Sequence, residues 1–230
     1  GAGAPAARRS RLLTREQITL LSAGLLALAL LVDLATGLTA VPLSVNLAAS
    51  SLADPALLDK LGALMQRFGL TPDCLTLEVT ESMLMGDIDG SIVVLESLRA
   101  QGYGLSMDDF GTGYSSLSYL KRLPMHELKI DRAFVADATR AHRDGALVAA
   151  IIALGRELGL RVVAEGVETA DQRDFLLKHG CSVQQGYHFS RPVAAHDIPA
   201  LLSRHWALQA AEPATGEDGC NVIRPLAVVR

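Results

Sequence analysis

Short apolar runs that end in acidic or amide side chains recur along this chain. Between them, leucine and isoleucine return every three or four residues. Six runs are of the first kind, at 41–46, 75–81, 103–107, 127–131, 161–166 and 182–187, and each is read as a strand. Their polar positions are Asn46, Glu78 with Glu81, the pair Asp108-Asp109, Lys129 with Asp131, Glu165, and Gln185. Within 75–80, Leu75, Leu77 and Val79 share one face while Thr76, Glu78 and Thr80 share the other, because side chains alternate along a strand. One face is therefore expected to pack under helices, with Glu78 turned toward a central mouth. Leu57, Leu58, Leu61, Leu64 and Met65 have helical spacing, as do Leu147, Ile151, Leu154 and Leu158. Strand and helix alternating in this way predict an α/β fold with a parallel sheet and crossover helices. In a (β/α) barrel, functional groups gather at the carboxyl ends of the strands, where these polar positions fall.

The densest chemistry is the run Asp108-Asp109-Phe110-Gly111-Thr112-Gly113-Tyr114-Ser115-Ser116. Adjacent aspartates leaving an apolar strand repel each other unless a cation or base sits between them. Oxygen-only ligands suit a hard divalent ion such as Mg²⁺ or Mn²⁺. An acidic strand-to-loop turn is the plain alternative. The return of the same pattern on the other strands favours the metal reading.

Composition narrows the class. At 230 residues, half of them hydrophobic, the chain can fill one barrel-sized core. A net charge of −4 gives no electrostatic reason to expect binding to duplex nucleic acid. Cys74, Cys181 and Cys220 are odd in number and lack Cys-x-x-Cys spacing, so neither a disulfide framework nor a zinc site is indicated.

The Asp108 to Ser116 run stands in company with Leu128-Lys129-Ile130-Asp131, Ala164-Glu165-Gly166-Val167-Glu168 and Gln185-Gly186-Tyr187-His188-Phe189-Ser190-Arg191-Pro192. With Ser44-Val45-Asn46-Leu47 and Glu78-Val79-Thr80-Glu81, these resemble the signature blocks of EAL domains, over about residues 40 to 203. EAL domains are bacterial phosphodiesterases that open cyclic di-GMP to the linear dinucleotide pGpG. The resemblance implies a TIM-type (β/α) barrel of the EAL type, incomplete here because about six of eight strands can be counted. It also implies two divalent ions, Mg²⁺ or Mn²⁺. Asn46, Glu78, Asp108 and Asp109 would be metal ligands, and Lys129, Glu165 and Gln185 catalytic residues. Glu81 and Glu168 would be supporting residues, with Glu81 steadying the Asp-Asp loop, and Asp131 and Arg191 would contact substrate. Plainer readings stand beside these. Lys129 and Asp131 make a simple ion pair, Glu165-Gly166 a turn, and Asn46 a helix cap. Gln185 carries the least specific signal, and Tyr187, Phe189 and Pro192 read as packing.

The family's Glu-Ala-Leu motif, whose glutamate is a metal ligand, is absent before Asn46, where the only glutamate is Glu16. An N-terminally truncated EAL-like domain over 16–205 is therefore expected, after a basic leader over 1–15 and before a flexible tail over 206–230. Impaired turnover follows as an expectation, with a non-catalytic cyclic di-GMP sensor or protein-interaction module as the alternative. The apolar run over 18–32 reads as a barrel helix, a membrane anchor or a signal peptide; at about fifteen residues it is short of the roughly twenty that span a bilayer. A cytoplasmic location is expected, or an inner-membrane one facing the cytoplasm if that run is an anchor. The expected partners are cyclic di-GMP and a second copy of the chain, with membrane contact only through the 18–32 run.

Overall fold

The computed structural model describes residues 43–201, apart from 85, 112–116, 141, 195–196 and 198–199. The leader over 1–15, the apolar run over 18–32 and the tail over 206–230 lie outside the described residues. Each of the six apolar runs forms a strand: β1 (Leu43–Asn46), β2 (Leu75–Thr80), β3 (Gly104–Phe110), β4 (Glu127–Ile130), β5 (Arg161–Ala164) and β6 (Val183–Gln184). They make one parallel sheet in the order β1-β2-β3-β4-β5-β6. Between them run α1 (Ala49–Leu52), α2 (Leu57–Phe68), α3 (Glu81–Leu84), α4 (Ile88–Ala100), α5 (Leu117–Leu120), α6 (Arg132–Asp137), α7 (His142–Glu157) and α8 (Ala170–Lys178). Sequential parallel strands joined by helices are the winding of a (β/α) barrel wall, with six strands among the described residues.

The outward-facing residues Leu77, Val79, Leu105, Met107, Leu128 and Ile130 are buried, as are Leu57, Met65, Leu95, Leu98, Val148 and Ile152 on the helices. Removing each such side chain from water contributes about 1.5–3 kcal/mol. The helix predicted from Leu57, Leu58, Leu61, Leu64 and Met65 is α2, and Leu57 and Met65 are its deepest members. On α7 the buried face is shifted by one residue from the expected one. Val148, Ile151 and Ile152 are buried, whereas Leu147 stands exposed. Gly155 lets α7 press onto the sheet, since a Cβ there would collide with Val162.

Five strand ends also differ from the sequence reading, β5 stopping at Ala164 and β6 at Gln184, short of the expected 166 and 187. The third strand does not stop at Met107 but carries both aspartates and ends at Phe110. Met107 pairs with Leu128 and Phe110 with Ile130, so Asp108 and Asp109 together stand opposite Lys129. This is a β-bulge, which re-aims a side chain by inserting one residue. Asp109 absorbs the extra residue at φ 55°, a left-handed conformation that short polar side chains tolerate better than branched ones. Glu81 opens α3 instead of ending β2. Asp131 is the N-cap of α6, its carboxylate accepting a hydrogen bond from the Ala133 amide at 2.8 Å.

Candidate functional site

Parallel registry brings the inward-facing residues of neighbouring strands side by side. Asn46 lies opposite Glu78, Thr80 opposite Asp108, and Lys129 opposite Val163. Lys129 projects from β4 into the resulting acidic mouth. Its Nζ lies 2.9 Å from Glu78 Oε2, 3.2 Å from Asp108 Oδ1 and 2.6 Å from Glu165 Oε1. Glu78, Asp108 and Lys129 are buried, and Glu165 is half-buried. Gly166 must take φ 68° just after Glu165, and a Cβ there would collide with Arg132.

One ammonium faces three carboxylates, so the cluster carries an excess of negative charge. Burial pulls the Lys129 pKa down, but Glu78, Glu165 and Asp108 together pull it above the ordinary lysine range. Burial raises the Glu165 carboxyl, and the adjacent Lys129 only partly opposes that. Asp109 is also raised, first by burial, then by the charges of Asp108 and Asp131 and by a hydrogen bond with Asp131. A buried cluster of charges of this kind is costly to desolvate and is weak evidence for stability, which points to a functional reason for it.

The remaining expected residues are placed less centrally. Asn46 is exposed at the end of β1 and does not cap a helix, since Ala48 holds that position for α1. Lys129 makes its ion pairs with Glu78, Asp108 and Glu165, while Asp131 serves the cap of α6. Glu81 is buried, and neither of its carboxylate oxygens has a hydrogen-bond partner among the described residues. The Glu168 backbone amide donates to Gln172 Oε1, and its side chain faces solvent. Gln185 joins β6 to its surroundings through backbone bonds, its amide donating to Ala164 O at 2.8 Å and its carbonyl accepting from Val167 at 3.0 Å. The Arg191 guanidinium stacks on the exposed Tyr187 ring at 4.7 Å, at the exit of β6.

A layer that sequence reasoning missed lies one step below the cluster. Glu127, two residues before Lys129, accepts a hydrogen bond from Ser106 Oγ at 3.0 Å and pairs with Arg161 Nε at 3.3 Å. Burial raises its carboxyl, with Ser106 and Arg161 opposing. Period two counted backward from Asp108 and Lys129 would have found Ser106 and Glu127.

The donor chemistry fits a hard divalent cation, being all oxygen with more negative than positive charge. Among the described residues, no three His, Cys, Asp or Glu side chains already converge to hold such an ion, and Lys129 Nζ occupies the point between the carboxylates. A separate groove of about 600 Å³, lined by Arg140, Gly145, Ala149, Phe175 and His179 among others, shares no residue with this cluster. Among the described residues no helix is long and apolar enough to cross a membrane.

A family model for the EAL domain matches residues 2–192, reaching further toward the N-terminus than the motif blocks do. The chain is 51% identical over 155 residues to the bifunctional diguanylate cyclase/cyclic di-GMP phosphodiesterase MucR of Pseudomonas aeruginosa. That alignment takes in 67% of this chain but only 23% of the relative's length. A solved structure described as PaMucR phosphodiesterase in complex with c-di-GMP superposes with a TM-score of 0.74 at 46% identity, covering 80% of this chain and 74% of that one. A manganese/cy-diGMP complex of Klebsiella pneumoniae BlrP1 superposes with a TM-score of 0.71 at 35% identity, covering 80% of this chain and 47% of that one.

Proposed function

This chain belongs to the EAL-domain family, and from that premise we propose that its acidic mouth binds cyclic di-GMP and hydrolyses one phosphodiester to give linear pGpG. The observation that carries the reading is the meeting of Glu78, Asp108, Lys129 and Glu165 at the carboxyl ends of four successive strands. Water adds to phosphorus, the P–O3′ bond breaks, and the departing ribose oxygen takes a proton. Asn46, Glu78, Asp108 and Asp109 are the proposed ligands for Mg²⁺ or Mn²⁺. Two such ions, when bound, would activate water and offset charge on the phosphoryl oxygens. Lys129 places a fixed positive charge beside the phosphate, where negative charge develops. Glu165, whose carboxylate burial makes more basic than usual, is suited to receive the proton that the attacking water loses. Gln185 is proposed to orient that water. Glu81 and Glu168 are proposed as supporting residues, and Asp131 and Arg191 as contacts to the dinucleotide.

Separation of linear product from cyclic di-GMP with Mg²⁺ or Mn²⁺ tests the reading. Asp108→Asn and Glu165→Gln should each lower turnover by roughly 100- to 1000-fold. Unchanged turnover in both would remove the cluster from the chemistry.

A non-catalytic sensor is the second reading, favoured by the position of Lys129 Nζ among the carboxylates, where no three acids among the described residues are arranged to hold an ion. Because the Glu-Ala-Leu glutamate is a metal ligand in the resemblance, this chain is expected to turn over roughly two to three orders of magnitude more slowly than a family member that has it. Turnover equal to such a member, measured side by side, would show that another acid substitutes. Binding of cyclic di-GMP with no product at long incubation would support the sensor. Pairing of two copies remains a proposal, tested by sedimentation.

A further inference from the structure

Lys129 is anchored more heavily than one charge beside a phosphate requires. Its ammonium group contacts carboxylates from three other segments: Glu78 of β2, Asp108 of β3 and Glu165 just after β5. The side chain is almost wholly buried, with a relative exposure of 5%, so water does little to screen these contacts. Glu78 and Asp108 are also the carboxylates that a divalent cation is proposed to take. An ammonium and a divalent ion cannot both sit within contact distance of the same oxygens without repelling each other strongly in this low-dielectric setting. Without any cation, the three carboxylates would stand uncompensated in the mouth of the sheet.

We propose that Lys129 is a tethered counterion that competes with the divalent cation: it holds Glu78, Asp108 and Glu165 together before the ion arrives, then gives up Glu78 and Asp108 to it. Glu165, at 2.6 Å, is the carboxylate it keeps. The inference rests on the phosphodiesterase reading only in placing a divalent ion at Glu78 and Asp108. It adds that the same lysine sets the threshold for metal loading, so the site exchanges one positive charge for another rather than filling a gap.

Mn²⁺ alone is the probe, its binding read by loss of the free-ion electron paramagnetic resonance signal. Thermal unfolding is followed in parallel with and without the ion. Lys129→Met should bind Mn²⁺ at least about tenfold more tightly than the wild-type chain. Without metal it should melt below wild type, and Mn²⁺ should raise its melting temperature by more than it raises that of wild type. Equal or weaker Mn²⁺ binding by a folded Lys129→Met would overturn the competition while leaving the metal reading intact. Binding by neither chain would overturn both. Should Lys129→Met fail to fold, wild-type protein labelled at the lysine ε-carbon decides the matter, with the Lys129 resonance assigned by comparison with Lys129→Arg. That resonance should shift as Mg²⁺ is added to saturation, and a resonance that stays put overturns the proposal.

Discussion

Glu127 and Lys129 leave the same face of β4 two residues apart, yet burial acts on them with different results. The lysine is kept charged by three acids, while the Glu127 carboxyl is raised above its ordinary value of 4.5, chiefly by burial. A carboxyl raised in the folded state contributes stability that is present below the unfolded value and is lost as pH climbs through the folded one. Glu127→Gln should therefore gain stability relative to wild type over the pH range above the ordinary carboxyl value of 4.5, read in urea titrations. A difference that stays flat or reverses across that range would mean that the Arg161 contact outweighs desolvation. Cys181 makes a second case. It is buried between the carbonyls of Val162 and Val183, and burial pushes its thiol up to about 12. Peptide mapping after brief treatment with a maleimide at about pH 8 should find Cys181 unmodified and the partly exposed Cys74 modified. Prior labelling of Cys181 would show that this part of the core opens readily. Of these residues, Lys129 was legible in the sequence because it sits in a motif, whereas Glu127 and Ser106 belong to no motif and are reached only by counting back two residues from Lys129 and Asp108.

At the scale of elements, hydrophobic period was the most readable signal. All six strands were found, because each carries a run of apolar residues closed by a polar one. The bulge in β3 was not, since nothing local in Asp108-Asp109 says that both will stand opposite a single residue of β4. The buried face of α7 was misplaced for a related reason. Leu147, Val148, Ile151, Ile152 and Leu154 spread over an arc of about 160°, wider than the roughly 100° stripe that a core-facing helix needs, so the sequence offers more than one face and the sheet selects one. Two glycines separate helix propensity from packing. Gly62 of α2 is exposed, with open space where a Cβ would stand, so Gly62→Ala should stabilise the fold by about 0.5–1 kcal/mol. Gly155 of α7 sits against Val162, so Gly155→Leu should destabilise it by about 1–3 kcal/mol. Denaturation midpoints decide both, and a stabilised Gly155→Leu would mean that α7 can lift from the sheet at little cost.

For the whole molecule, the arrangement of strands was the most fully anticipated feature, and the family motifs supplied the candidate site proposed on it. Within the sheet, β4 is buried at all four positions and flanked on both sides, whereas β1 and β6 each have one strand neighbour among the described residues. Amide hydrogen exchange should therefore be slowest in β4 and the central part of β3, and faster in β6. Uniform exchange across the sheet would mean that it opens only as a unit. The sequential order of the strands also bears on how the molecule is built during synthesis. Each strand can dock on the one made just before it, so the wall is able to grow from the amino-terminal side as the chain emerges. Glu78 and Asp108 then meet before Lys129 has been made, and the growing intermediate carries two facing acids with no cation between them. Added salt should speed the early phase of refolding by screening that repulsion, an effect that fades once β4 has joined.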